Sequence, residues 1–275
     1  MLRGSGTLRI MAAAIMVFAM VALQPGCLGG MDILYFDGTF HDYIGQALNR
    51  LHYRYDRYAL PADFQDAITS KPWDLVIIEN GPGYTLDQLG DEFLEELVDG
   101  GARLILSSHD LEDYPSLCSK LGFIYGGWQE YLFPGNYSPV PVFRIEGDEW
   151  ADLWEEPNNL PGNSLPMNMA YDYYDPDHEI PNAFYGTATG TGRMVATYYG
   201  AANPPDDTAA IVMANSGRTI LNAFYLDDAS WWDNTKGIDV DIDIDADGVP
   251  DAVEWYMNEI YFVRKAGGIS VQPGI

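Results

Sequence analysis

The chain has 275 residues, 41 of them acidic and 14 basic, for a formal net charge of −27. A surface of that sign repels phosphate backbones, which sets nucleic acid aside as a partner, and it suits cations. It also keeps an exported protein soluble, so the charge alone assigns no role, and no repeat or low-complexity tract marks a solenoid or disordered class.

The first 30 residues read as an address. Arg3 and Arg9 form a positive n-region, and Ile10 to Leu23 is an apolar run of signal-peptide length. The run is too short and too early for a comfortable membrane span. Cys27 after Gly26 is similar to a bacterial lipoprotein cleavage site. Gln24 and Pro25 depart from that pattern, and ordinary cleavage near Gly29 or Gly30 is the alternative. Either way the mature chain is expected outside the cytoplasm, in the periplasm, cell envelope or extracellular space. Membrane contact is expected only through a lipid at Cys27. With Cys27 lipidated or removed, Cys118 stands alone, no internal disulfide forms, and packing must hold the core.

Met31 to Phe36 predicts a first strand, ended by the turn residues Asp37-Gly38-Thr39. Tyr43 to Leu51 has helical spacing, with Ile44, Ala47, Leu48 and Leu51 on one face. Tyr55 to Leu60 predicts a second strand. Phe64 to Thr69 predicts a short helix with Asp63 as its N-cap. The run Trp73-Asp74-Leu75-Val76-Ile77-Ile78-Glu79-Asn80 reads as a strand buried on both faces. Leu86 to Val98 predicts one helix, with Leu89, Phe93, Leu94 and Leu97 inward, closed by Gly100-Gly101. Arg103 to Ser107 is the next strand, Ser116 to Leu121 a short helix holding Cys118, and Gly122 onward a further strand. This alternation predicts parallel strands with right-handed crossovers. Residues 129–181 hold many prolines and read as an irregular insertion, with an edge strand at Pro141 to Ile145. Met194 to Tyr199 is a strand, and Ala209 to Ala214 with Thr219 to Tyr225 a hairpin turning at Asn215-Ser216-Gly217-Arg218.

Over Met31 to Asp228 this chain resembles the class I glutamine amidotransferase-like superfamily, including its trehalose-utilisation-type members. The matching residues are the first strand, Trp73 to Ile78, the Gly100-Gly101-Ala102-Arg103-Leu104-Ile105 entry to the next strand, and the Gly217 to Phe224 hairpin arm. The resemblance implies a flavodoxin-like three-layer α/β sandwich with a mostly parallel sheet. Catalytic members carry a Gly-X-Cys-X-Gly elbow after the strand that here ends Leu106-Ser107-Ser108-His109-Asp110. That strained turn needs flanking glycines, and this chain has neither the glycines nor the Cys. The family's late His-Pro-Glu has its nearest counterpart in His178-Glu179. An enzyme reading therefore makes Ser108 the nucleophile with His109 or His178 as base. The plain reading makes these polar residues a strand end. The carboxyl edge of a parallel sheet is where a ligand would sit, and Glu79, Asn80, Gly81, Gly83, Ser108 and His109 would line it.

Asp243-Ile244-Asp245-Ala246-Asp247-Gly248-Val249-Pro250-Asp251-Ala252-Val253-Glu254 matches the twelve-residue EF-hand loop. Asp243, Asp245, Asp247, Asp251 and Glu254 fall at positions one, three, five, nine and twelve. Gly248 takes the turn at six, and Val249 would offer its carbonyl at seven. Ala252 to Val263 reads as the exiting helix, with Val253, Met257, Ile260 and Tyr261 at helical spacing. The incoming Gly237 to Ile242 reads as a strand or extended arm, leaving half an EF-hand. Modules of this kind bind Ca2+ at roughly 10⁻⁴ to 10⁻³ M.

The sequence thus predicts a signal segment over 1–30, an amidotransferase-like domain over 31–228 and an acidic calcium-binding extension over 229–275. The expected function is an exported, non-catalytic binding or surface module stabilised by calcium, with a ligand at the sheet's carboxyl edge. The alternative is an exported hydrolase with a Ser nucleophile at that edge.

Overall fold

The computed structural model describes residues 31–266 except 40, 82, 109, 129–141, 146–150, 161–163, 166–182, 201–202, 225–229, 234–237 and 242. The signal segment, Cys27, His109 and His178 lie outside the described residues, as does most of the insertion.

Five parallel strands form the centre. They are β1 (Ile33–Asp37), β2 (Tyr55–Tyr58), β3 (Leu75–Asn80), β4 (Arg103–Ser108) and β11 (Thr219–Asn222), in the order β2-β1-β3-β4-β11. That is the flavodoxin-like 2-1-3-4-5 order, with β11 as the fifth strand. β1, β3, β4 and β11 are buried at every residue, which is why their sequences are apolar without alternation. β11 is delivered by a hairpin. It runs antiparallel to β10 (Ala209–Ala214), and the turn between them places Asn215, Ser216 and Gly217 at positive φ. Beyond β10 the sheet continues antiparallel through β9 (Arg193–Thr197), β6 (Val142–Arg144) and β7 (Ser164–Leu165). The strand expected at Pro141 to Ile145 is therefore an interior one. A branch formed by β5 (Phe123–Trp128) and β8 (Phe184–Ala188) also joins β10, completing a sheet of 11 strands among the described residues. The sequence places β5 in the parallel series, but it pairs with β8 in antiparallel fashion. A separate ribbon pairs β12 (Ser230–Asp233) with β13 (Ile238–Asp241).

Right-handed crossovers put the helices on two faces. On the first face lie α2 (Pro61–Ser70), α3 (Leu86–Leu89), α4 (Asp91–Asp99) and α5 (Pro115–Lys120). Their apolar residues, such as Phe64, Leu86, Leu94 and Leu117, meet Phe36, Ile78 and Leu106 in one core. Two expectations change here. α2 begins at Pro61, so Asp63 sits inside its first turn and caps nothing. The helix expected over Leu86 to Val98 is broken at Gly90, whose φ of 87° is left-handed. The break rotates α4, so Leu94 and Val98 face inward and Phe93 is 43% exposed. Cys118 is buried in α5 and its thiol is pushed up to about 12, by burial first and by Asp110 second. It packs as a small core residue.

The second face carries α1 (Tyr43–Arg50) and α7 (Asp251–Ala266), which pack against each other. α7 also touches β4, β11 and α6 (Ala151–Glu155). Val253, Trp255, Tyr256, Ile260 and Val263 of α7 are buried, and Trp255 lies 4.9 Å from Trp154 of α6. The helix that follows the acidic loop is thus one of the two that close the sandwich. Among the described residues, no helix is long and apolar enough to cross a membrane.

Candidate metal centre

The acidic loop leaves β13 and runs directly into α7. Its backbone is folded inward on its own carboxylates. Gly248 N–H donates to Asp243 Oδ2 at 2.9 Å, Asp247 N–H to Asp245 Oδ1 at 3.2 Å, and Val249 N–H to Asp247 Oδ1 at 2.7 Å. Across the loop, Ile244 N–H donates to Asp251 Oδ1 at 3.1 Å. Short Asp side chains accepting from backbone two to five residues on are turn chemistry, and they hold the carboxylates together. Gly248 turns at φ 89°, a conformation that costs a residue with a Cβ.

Asp243, Asp245 and Asp247 each offer a carboxylate oxygen within 4.8 Å of the others, a group able to hold a metal ion. Asp251 and Glu254 come from the first turn of α7 and are only 4% and 3% exposed. Asp243 Oδ1, Asp251 Oδ2 and Glu254 Oε2 are buried without a hydrogen-bond partner. Buried carboxylate oxygens without donors cost free energy unless a cation meets them. The energetic conflict is visible in the two buried acids. Burial, then repulsion from Asp243, Asp245 and Asp247, pushes Asp251 up to about 6. Burial, then repulsion chiefly from Asp247 and Asp245, pushes Glu254 up to about 7. A bound divalent cation reverses that logic by supplying the missing positive charge.

The same helix brings a second polar cluster into the core. Asp37, Glu79, Ser107 and Asn222 occupy one register row across β1, β3, β4 and β11. Tyr256 hydroxyl donates to Glu79 Oε1 at 2.8 Å and lies 3.2 Å from Ser107 Oγ. Asn222 Nδ2 donates to Ser107 Oγ at 3.0 Å and to Glu259 Oε2 at 3.2 Å. Glu259 is fully buried. Burial raises its carboxyl to about 8, against the opposing hydrogen bond from Asn222. Asp37 is paired with Arg57, and Thr39 Oγ1 donates to Asp37 Oδ1 at 3.3 Å. Sequence reasoning passed over Asn222, Tyr256 and Glu259. Their only signal is the i, i+3 spacing of Tyr256 and Glu259 on α7. The apolar stripe drawn through Met257 and Tyr261 concealed it, and both of those are half-buried.

Ser108 lies on the opposite face. It is buried, and its hydroxyl donates to Asp110 Oδ1 at 2.6 Å. Asn80 Nδ2 donates to Ser108 Oγ at 3.2 Å and to Asp110 Oδ1 at 3.1 Å. Asp110 Oδ2 accepts from Leu86 N–H, the first residue of α3, at 2.9 Å. This knot joins β3, β4 and α3. Gly81 belongs to a backbone contact: a Cβ there would come within 2.8 Å of the Gly38 carbonyl, and Gly38 N–H donates to the Glu79 carbonyl at 2.9 Å. Of the expected edge-lining residues, Asn80 and Ser108 meet on the first face and Glu79 points to the second.

Solved structures resemble the chain, two of them as follows. A glutamine amidotransferase from Thermotoga maritima is 11% identical, with a TM-score of 0.42, covering 71% of this chain and 75% of that one. The protein SMU.1228c is 8% identical, with a TM-score of 0.45, covering 85% of this chain and all of that one. No family model and no curated protein matches the sequence.

Two outcomes are expected from these networks. Asp110→Ala strips partners from Asn80, Ser108 and the Leu86 N–H in a buried site, and should cost about 2–4 kcal/mol in urea unfolding. For Glu259, the folded chain holds a proton that the unfolded chain releases near its ordinary value of 4.5. The associated stability is present in full below that pH and is lost as pH rises to about 8. Glu259→Gln should therefore flatten the decline between pH 5 and 8 and gain on the order of 1–3 kcal/mol at pH 8. Parallel pH profiles for the two proteins would contradict this.

Proposed function

We propose that the chain is an exported, non-catalytic binding or surface module of the amidotransferase-like kind, whose fold is held by calcium. The observation that carries the reading is the set of unpartnered carboxylate oxygens on Asp243, Asp251 and Glu254, gathered with Asp245 and Asp247 around one loop. An all-oxygen set of one carbonyl and five carboxylates is hard-cation chemistry. Asp243, Asp245, Asp247, Asp251, the Val249 carbonyl and a bidentate Glu254 would hold the ion. Calcium is favoured over magnesium because it tolerates the irregular, higher coordination that a twelve-residue loop provides. The ion supplies charge neutralisation and does no chemistry on a substrate.

The non-catalytic reading rests on Ser108. A nucleophile must stand exposed beside a base on a strained turn. Here the hydroxyl is buried in regular strand and engaged by Asp110. That geometry supports the non-catalytic reading over the hydrolase alternative. The acidic chain and the weak affinity expected of such loops both suit a compartment where calcium is plentiful.

Linkage sets the size of the effect. At about 10 mM calcium and a dissociation constant of roughly 10⁻⁴ to 10⁻³ M, stabilisation is about 1–3 kcal/mol, or about 3–8 °C in Tm for a chain of this size. Differential scanning calorimetry should show that rise with calcium and its disappearance in Asp247→Ala. An unchanged Tm in the wild-type chain would remove the calcium reading. Independently, ester hydrolysis measured with p-nitrophenyl acetate should be the same for the wild type and Ser108→Ala. A Ser108-dependent burst would reinstate the hydrolase.

A further inference from the structure

We propose that the metal loop is a latch for α7. With the ion bound, α7 docks on the second face of the sheet; without it, the amino-terminal half of α7 leaves the sheet while the first face stays folded. The proposal rests on the calcium reading above and extends it from stability to conformation.

The latch follows from where the ligands sit. Asp243, Asp245 and Asp247 belong to the loop after β13, whereas Asp251 and Glu254 belong to the first turn of α7. An ion shared between them ties the helix to the preceding loop. With α7 docked, Asp251 and Glu254 are buried, and each carries an oxygen without a partner. Among the described residues, no Lys or Arg pairs with any of the five acids. Docking without a cation therefore forces buried, mutually repelling carboxylates together. Undocking returns them to water.

Docking is also less one-sided than the apolar residues of α7 suggest. Val253, Trp255, Ile260 and Val263 favour it. The same helix must carry Glu259 and the Tyr256 hydroxyl into the core, where their bonds to Asn222, Glu79 and Ser107 stand in for the hydration they lose. The opposing pull on its far end is modest. Lys265 pairs with Asp152 and Glu156 at the surface, which is weak restraint. Asn258 exchanges hydrogen bonds with Asn158, and Arg103 Nε donates to the Val263 carbonyl. These contacts hold the carboxyl-terminal half, so release starts at the loop.

The first face does not depend on α7. Its core is built from α2 to α5 and the sheet, and no residue of α7 belongs to it. A structure with two separately built faces can open on one side as a cooperative unit. What the amino-terminal half of α7 uncovers when it leaves is Glu79 and Ser107, the partners of Tyr256 at the carboxyl ends of the parallel strands. That is the edge at which such sheets receive ligands. Calcium occupancy would thus decide whether a polar groove is covered or open.

The test uses hydrogen exchange read by mass spectrometry on the full chain, in calcium and in chelator, beside calorimetric titration with calcium alone. Calcium should bind, and on chelation the peptides covering Asp251 to Met257 should lose protection by about 100-fold or more while those covering α2 and α4 keep theirs. Asp247→Asn in calcium should reproduce the chelated pattern. If calcium binds and α7 keeps its protection in chelator, the latch is wrong and the calcium site stands. If calcium binds and both faces lose protection together, the ion supports global folding and the latch is again wrong. If titration shows no binding, the calcium reading and the latch fall together.

Discussion

Glu79 sits at the end of a strand with both faces covered, and Tyr256, 177 residues further along, donates to it. The arrangement of the second face depends on that hydrogen bond. A buried carboxyl is tolerated only with donors in place, and α7 must lie at one height and one rotation to supply this one. Tyr256 then meets Ser107, Asn222 bridges Ser107 and Glu259, and the i, i+3 spacing of Tyr256 and Glu259 places both on the seam. Because Asp251 and Glu254 belong to the same helix, its placement also fixes where two of the five loop carboxylates lie. The seam and the metal loop are joined by one helix.

Ser107 and Ser108 show how strand geometry divides the work. Successive residues of a strand point to opposite faces. Ser107 enters the seam with Tyr256, and Ser108 enters the knot with Asn80 and Asp110. Both hydroxyls are engaged, one on each side of β4. A nucleophile elbow would have to break the strand before this point and lift one hydroxyl out of the sheet. β4 continues in regular pairing through Ser108, whose partner across the ladder is Asn80. The strand end is built as a joint between layers.

Much of this was legible in the sequence where local rules govern. The strands read at Trp73 to Asn80 and Arg103 to Ser107 are found at Leu75–Asn80 and Arg103–Ser108, because a strand buried on two faces is marked by an apolar run without alternation. The turn at Gly248 and the clustering of Asp243, Asp245 and Asp247 are readable because both lie within one short segment. What escaped depends on register or on tertiary placement. The polar row of Asp37, Glu79, Ser107 and Asn222 exists only once four strands are aligned, and each residue alone looks like a polar strand end. Alternation of helix and strand puts β5 in the parallel series, because it carries no information about the branch through β8. Phe93 was placed inward because a break at Gly90 changes helix phase without changing composition.

The role of the C-terminal stretch changes with the structure. Read linearly, an acidic loop and a helix after a finished domain form an appendage. In a doubly wound sheet of 2-1-3-4-5 order, however, right-handed crossovers leave the second face with the helix after β1 and a helix after the last strand. Here α1 fills the first place and α7 the second. The sandwich is therefore unfinished until the chain has passed through five carboxylates and laid α7 down. The favourable interaction of Asp251 and Glu254 with the N-terminal end of the helix dipole is worth only about 0.3–1 kcal/mol each. That is small beside the burial and, after it, the repulsion that raise Glu254 to about 7. The proposed cation would offset that conflict, and a loop asked only to bias the docking of one helix can bind weakly. The proposed ion and the proposed location then require each other: roughly 10⁻⁴ to 10⁻³ M affinity is useless at the low free calcium of a cell interior and sufficient outside it.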